Sequence, residues 1–267
     1  MQEEAIGNNI IMNEKHLDDL VSYLKFPSVS TDSHYKENVR GCAEWLSSKI
    51  DEVGLEASIH ETPGHPIVIG KNKHSEDKPT VMIYGHYDVQ PADPIDLWDS
   101  PPFEPLIKDG KIYARGSTDN KGQHLAHLLG LGETLSENGD LPVNIIYLVE
   151  GEEEIGSPNL EPFLIENKED LDCDVIAVSD TGMIGHGMGT FTYGLRGVAC
   201  MEVKVIGPSK DLHSGVFGGA VANPCTAISK MISSLHDLDG RIKVDGFYDR
   251  VKEIEDWEKT AWAKIQL

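Results

Sequence analysis

The chain has 267 residues, and its 39% hydrophobic and 25% charged content is that of an ordinary globular protein with core enough for one large or two smaller domains. Acidic residues outnumber basic ones 45 to 23, leaving a formal charge of −22, which opposes nucleic acid and anionic membrane surfaces and suits solubility or cation binding. Cys42, Cys173, Cys200 and Cys225 form no CxxC pair, so they read as reduced thiols, neither a disulfide framework nor a zinc–thiolate site. The N-terminal stretch to Lys15 lacks the basic start and apolar core of a signal peptide. No run approaches the ~18 apolar residues of a membrane span. A cytoplasmic address is expected, without membrane or nucleic-acid partners.

In chain order, Leu17, Leu20, Val21 and Leu24 predict a helix over Glu14–Leu24, stopped by Pro27. A second helix is predicted over Asn38–Val53, with Val39, Cys42, Ala43, Leu46 and Ile50 on one face and Gly54 as the stop. Short β-type runs follow at Leu55–His60, Ile67–Ile69 and Thr80–Tyr84. Residues 91–111, rich in Pro and Asp, read as an ordered loop. A helix is predicted from Lys121 to Glu137, then a strand over Val143–Val149, a helix capped by Ser157 and running to Lys168, and a strand over Val175–Val178. Strands alternating with helices, with near-continuous apolar runs, predict an α/β fold: a largely parallel sheet with helices on both faces.

The pattern changes near Tyr193. Met201, Val203 and Val205 alternate with Glu202 and Lys204, predicting a half-buried antiparallel strand over Ala199–Ile206. A glycine-rich stretch, Gly207–Gly219, leads to Asn223–Pro224, a cap and first-turn pair that opens a helix carrying Ile228, Ile232 and Leu235. The expected division is a catalytic domain over 1–192 and the start of an α+β lid or dimerisation domain over 193–267.

Chemistry gathers in four stretches: GHYDVQP (Gly85–Pro91), ARGSTDNKG (Ala114–Gly122), EGEEEIGS (Glu150–Ser157) and VSDTG (Val178–Gly182). Three of them follow directly on predicted strands, and in open α/β sheets ligands collect beyond the carboxyl ends of strands. Asp119, at the start of a helix, can open onto the same rim. Imidazole and carboxylates without cysteine suit a hydrolytic pair of divalent ions. In this reading Asp119 bridges the two ions, His86 is a terminal ligand, and Glu154 and Asp180 each bind one ion. Asp88 accepts the other imidazole N–H of His86, and Glu153 is the general base acting on a metal-bound water. Each motif alone is weak, since an isolated H-x-D or a run of glutamates is usually incidental; the four in strand-end contexts carry the reading together. His124 and His127 read as packed or helix-surface histidines, and His60, His65, His74 and His186 are left out. His213, in DLHSGVFGG, sits among glycines that let a backbone approach a ligand closely.

Together with LWDSPPFEP, YGLRG and GPSKDLHSGVFGG, these stretches resemble the dinuclear metallopeptidase family that includes cytosolic non-specific dipeptidase, carnosinase, aminoacylase and succinyl-diaminopimelate desuccinylase (the M-twenty peptidases), and most closely its dipeptidase branch. The resemblance covers nearly the whole chain in the right order. It implies one ion, zinc or else manganese or cobalt, on His86, Asp119 and Asp180, and a second on Asp119 and Glu154. Asp88 stands behind His86, Glu153 is the base, and the peptide bond after Asp119 is cis. It further implies a homodimer made by the lid, with His213 reaching the partner subunit's site to polarise the scissile carbonyl of a small peptide.

The chain departs from that pattern in ending at Leu267, before the part of the family that returns to the catalytic domain. No residue after Asp180 matches the histidine that part supplies to the second ion, and His236 is a poor substitute. The expected function is metal-dependent hydrolysis of dipeptides or short peptides. The alternatives are an N-acyl-amino-acid amidohydrolase with the same site, or an inactive fragment that dimerises and binds metal.

Overall fold

A computed structural model describes residues 13–185 and 188–265. His186, Leu267 and most of the N-terminal stretch read for a signal peptide lie outside the described residues. The chain divides between Gly182 and Met183 into two compact units, each described by itself.

In the first unit α1 (Glu14–Leu24) starts on Asn13, whose Oδ1 accepts the Lys15 N–H at 3.0 Å. Next, α2 (Lys36–Glu52) buries the expected stripe of Val39, Cys42, Ala43, Leu46 and Ile50. The chain then forms β1 (Glu56–His60), β2 (Ile67–Lys71) and β3 (Thr80–His86). Residues 91–111, expected as a loop, include a short 3-10 turn at Ile95–Leu97 and most of a hairpin, β4 (Leu106–Lys108) with β5 (Lys111–Tyr113). Asp109 and Gly110 at its tip both have positive φ, 53° and 70°, and an Asp-Gly pair is the sequence signal for that turn.

After α3 (Lys121–Asn138) come β6 (Asn144–Glu150), α4 (Leu160–Glu166) and β7 (Val175–Val178). Ser157 does not cap α4. Its φ is +50°, its hydroxyl donates to Glu150, and the helix begins three residues later, after Asn159.

The strand order is β1-β2-β6-β3-β7. The α/β class stands, but the sheet is mixed: β6, β3 and β7 are parallel, while β1 and β2 run antiparallel to their neighbours. The link from Glu61 to Pro66 is too short for a crossover, so β2 must return antiparallel to β1, whereas α3 and α4 supply the crossovers that parallel strands need. β6 is central and buried at every position. One face of the sheet carries the core built with α1, α2 and α3. The other packs Ile67, Ile69, Met82, Ile146 and Leu148 under Phe163 of α4 and Leu171.

In the second unit α5 (Ser214–Phe217), α6 (Pro224–Ser234) and α7 (Asp256–Trp262) form. Asn223 caps α6 as expected, its Oδ1 accepting the Cys225 N–H at 2.8 Å. Ala199–Ile206 is not a strand. An alternating stretch becomes one only beside a partner that takes up its N–H and C=O groups. Among the described residues no strand pairs with it, and Met201, Val203 and Ile206 are exposed. No helix among the described residues is long and apolar enough to cross a membrane.

Candidate metal centre

Strand register brings the ligand candidates side by side. Tyr84 of β3 pairs with Val178 of β7, so His86 and Asp180, each two residues further on, leave the sheet at the same level. His86 in turn pairs with Glu150 of β6, and the chain beyond Glu150 turns at once into a 3-10 turn at Glu153–Ile155. Asp119 lies two residues before the start of α3, and the peptide bond after it is cis, as the resemblance implied. Gly85 makes the close approach of this segment possible, since a Cβ there would lie 2.7 Å from His124 Cβ and 2.8 Å from Asn120 Oδ1.

The imidazole of His86 is fully buried, and its Nε2 has no hydrogen-bond partner of acceptable geometry. Around that nitrogen lie Asp119 Oδ1 at 3.2 Å, Asp180 Oδ2 at 3.3 Å and Glu153 Oε2 at 4.0 Å. Two donor sets meet at His86: one with Asp119 and Asp180, the other with Glu153 and Glu154, the atoms of each set lying within 4.8 Å of one another. A buried nitrogen without a partner, facing several carboxylates, fits a divalent cation. The oxygen and imidazole donors fit zinc, manganese or cobalt chemistry.

Asp88 does more than was expected of it. The His86 Nδ1–H donates to the Asp88 backbone carbonyl at 3.0 Å, while the nearer carboxylate oxygen is 3.4 Å away. The carboxylate instead accepts the backbone N–H groups of Glu153 (3.2 Å) and Glu154 (3.1 Å) and the Ser30 hydroxyl (2.6 Å). One residue therefore fixes the imidazole and the acidic turn together.

The four glutamates of EGEEEIGS divide by role. Glu150 is buried and accepts from the hydroxyls of Tyr84 (2.6 Å) and Ser157 (2.7 Å). Glu152 accepts the His65 backbone N–H at 3.1 Å and the Asn159 amide at 2.7 Å. Only Glu153 and Glu154 turn toward the site, and Gln90 donates to Glu154 Oε2 at 2.6 Å.

Electrostatics follow from burial and crowding. Desolvation pushes His86 down, but the Asp88 carboxylate close to its Nδ1 and the charges of Asp180 and Glu153 outweigh it and raise its pKa to about 9. Burial raises Glu153, with Glu154, Asp180 and Asp88 adding to the rise against His86. Burial also raises Glu154, opposed by the Gln90 hydrogen bond.

Of the remaining histidines, His124 is buried in the core, bonded to the hydroxyls of Tyr23 (3.2 Å) and Tyr147, and burial holds its pKa well below the usual value. His127 reaches Ser179 Oγ at 2.6 Å. His213 is exposed in the second unit and caps α5, its Nδ1 accepting the Gly215 N–H at 2.9 Å. Sequence reasoning missed Ser30, Gln90 and Asn120, whose Oδ1 accepts the His86 N–H at 3.2 Å. Gln90 and Asn120 lie inside the quoted motifs, whereas nothing in the sequence marks Ser30.

A family model described as Peptidase family M20/M25/M40 matches residues 82–255. A Cys-Gly metallodipeptidase of Schizosaccharomyces pombe is 35% identical over 270 residues, 94% of this chain and 56% of that protein. Among solved structures, an M20 family metallo-carboxypeptidase from Sulfolobus solfataricus superposes with a TM-score of 0.76 at 35% identity, covering 96% of this chain and 57% of the other. Human carnosine dipeptidase 1 does so with a TM-score of 0.77 at 30% identity, covering 95% and 57%. The chain thus spans a little over half the length of these relatives.

Proposed function

The chain belongs to the M20/M25/M40 peptidase family, a family of metallopeptidases, and from that premise we propose that it carries the metal site and general base of a dipeptidase. The observation that carries the reading is the buried, unpartnered Nε2 of His86 among the carboxylates of Asp119, Asp180 and Glu153. One divalent ion would be held by His86, Asp119 and Asp180, and a second by Asp119 and Glu154, with zinc the ion proposed. Bound there, such ions supply positive charge that acidifies water and polarises a carbonyl.

The residues of the chain do the rest. The Asp88 carbonyl holds the proton of His86 on Nδ1 and so presents Nε2 as the ligand atom. Glu153 accepts the proton of the attacking water and returns it to the departing amine. Burial suits it to the task by lifting its pKa toward the working range of a general base. The substrate proposed is an unblocked dipeptide, and the likeness to a metallo-carboxypeptidase favours longer peptides cut at the last residue as a second class. We also propose that a homodimer forms through the second unit, with His213 polarising the scissile carbonyl in the partner subunit's site.

The test is metal content by elemental analysis alongside hydrolysis of unblocked dipeptides. Ions lost in His86→Ala, and hydrolysis lost in Glu153→Gln while the ions stay, are the expected results. Hydrolysis unchanged in Glu153→Gln would overturn the role of the base.

A further inference from the structure

We propose that His127 is a positioning residue for Asp180, and that α3 thereby sets the spacing between the two carboxylates that flank His86. The inference rests on the reading of His86, Asp119 and Asp180 as metal ligands and adds a residue to it.

Asp180 stands on the least supported part of the site. β7 is an edge strand, paired to β3 alone, and its ladder ends at Val178. Val175, Ile176 and Val178 are more than half exposed, and among the described residues only Ala177 of this strand packs against the core and no second ladder holds it. Asp180 lies two residues past the last paired position, where a ligand needs its backbone fixed to within a fraction of an ångström.

The tether comes from α3. His127 Nε2 and Ser179 Oγ share a hydrogen bond of 2.6 Å, one residue before Asp180. That helix begins two residues after Asp119, and its core-facing residues Leu125 and Leu128 are fully buried. Asp119 at its start and the Ser179 tether two turns along are thus fixed to one rigid body. A half-buried histidine on a helix face is ordinarily only a packing residue. Here its ring nitrogen is spent on the residue adjoining a ligand candidate, just past the end of a strand that among the described residues is laddered on one side only. Groups that orient metal ligands from outside the coordination sphere typically change metal affinity about 10–100-fold when removed.

The experiment titrates cobalt and zinc ions into the metal-free chain, with affinity read by competition against a chromophoric chelator. Melting temperature is recorded on the same metal-free samples. His127→Leu and Ser179→Ala should each weaken binding about tenfold or more with little change in melting temperature. His127→Gln, whose amide nitrogen falls near the position of Nε2, should restore affinity to within about threefold of wild type. Affinity in Ser179→Ala equal to wild type would overturn the inference, as would a loss in His127→Leu that tracks melting temperature and is not rescued by Gln. If the wild-type chain takes up no ion that His86→Ala abolishes, the metal-site reading itself fails, and the positioning role goes with it.

Discussion

The carboxylate of Asp88 accepts the backbone N–H of Glu154 at 3.1 Å, 66 positions away in sequence. With the Glu153 N–H and the Ser30 hydroxyl on the same carboxylate, three donors depend on one fully buried side chain. Asp88→Ala should therefore cost about 3 kcal/mol, since donors left without an acceptor lose their full compensation for desolvation. Asp88→Asn should fall between, because its amide nitrogen would face a donor. Denaturant unfolding of the metal-free variants measures this, and midpoints equal to wild type would show that the turn is held by something else.

The pH dependence of the metal-free chain has a definite sign. The folded pKa of His86 is raised from 6.5 to about 9, so protonated His86 favours the folded state. Its contribution, about 3 kcal/mol, is fully present below pH 6.5 and is lost as pH rises through about 9. Glu153 and Glu154, also raised, act in the same direction over a lower window that begins near 4.5. Stability in the presence of a chelator should fall from pH 6.5 to 9. Saturating zinc should reverse the slope, because a ligating imidazole must give up its Nε2 proton. Thermal melts at several pH values, with chelator and with zinc, test both. A flat chelator profile would mean that the folded chain does not hold a second proton on the His86 imidazole above pH 6.5.

The sequence shows the site better than it shows what supports it. β3, β6 and β7 were legible because each is an apolar run with a polar ligand candidate at its end or within four residues beyond it, and parallel strands of that kind deliver their ends to one rim. The helix stripes were legible through their 3.6-residue period. The double use of Asp88 and the separate fates of Glu150 and Glu152 were not. These depend on which loops meet in space, and neither period nor motif encodes that. Ala199–Ile206 failed for a related reason: alternation describes the two faces of a strand but supplies no partner for its backbone. The β4–β5 hairpin is signalled by Asp109–Gly110, a turn pair set in a stretch whose prolines and aspartates otherwise read as loop.

Gly151, between the buried Glu150 and Glu152, is required by space. A Cβ there would lie 2.3 Å from the hydroxyl oxygen of Tyr87 and 2.4 Å from its Cζ. Tyr87 is fully buried, with its hydroxyl donating to Pro66 O at 2.7 Å, so the ring has no free direction in which to yield. Gly151→Ala should destabilise the chain by about 2–3 kcal/mol and weaken ion binding by displacing the acidic turn. Gly130→Ala, where a Cβ meets nothing within 4 Å, is the matched control and should be neutral or slightly stabilising through helix propensity. Equal unfolding midpoints for the two variants would remove the steric argument.

His213 can be tested against its own local role. Its Nδ1 caps α5 by accepting the Gly215 N–H, a task that Asn performs at least as well. His213→Asn should leave melting temperature and metal content at wild-type values. If the imidazole also polarises a scissile carbonyl, the same variant should lower kcat by about 10²–10³-fold, the range for loss of one such donor. His213→Ala should lose both the cap and the rate. Steady-state dipeptide kinetics on the two variants separate the roles: full activity in His213→Asn reduces His213 to a cap, whereas lost activity with an intact melt requires the imidazole itself.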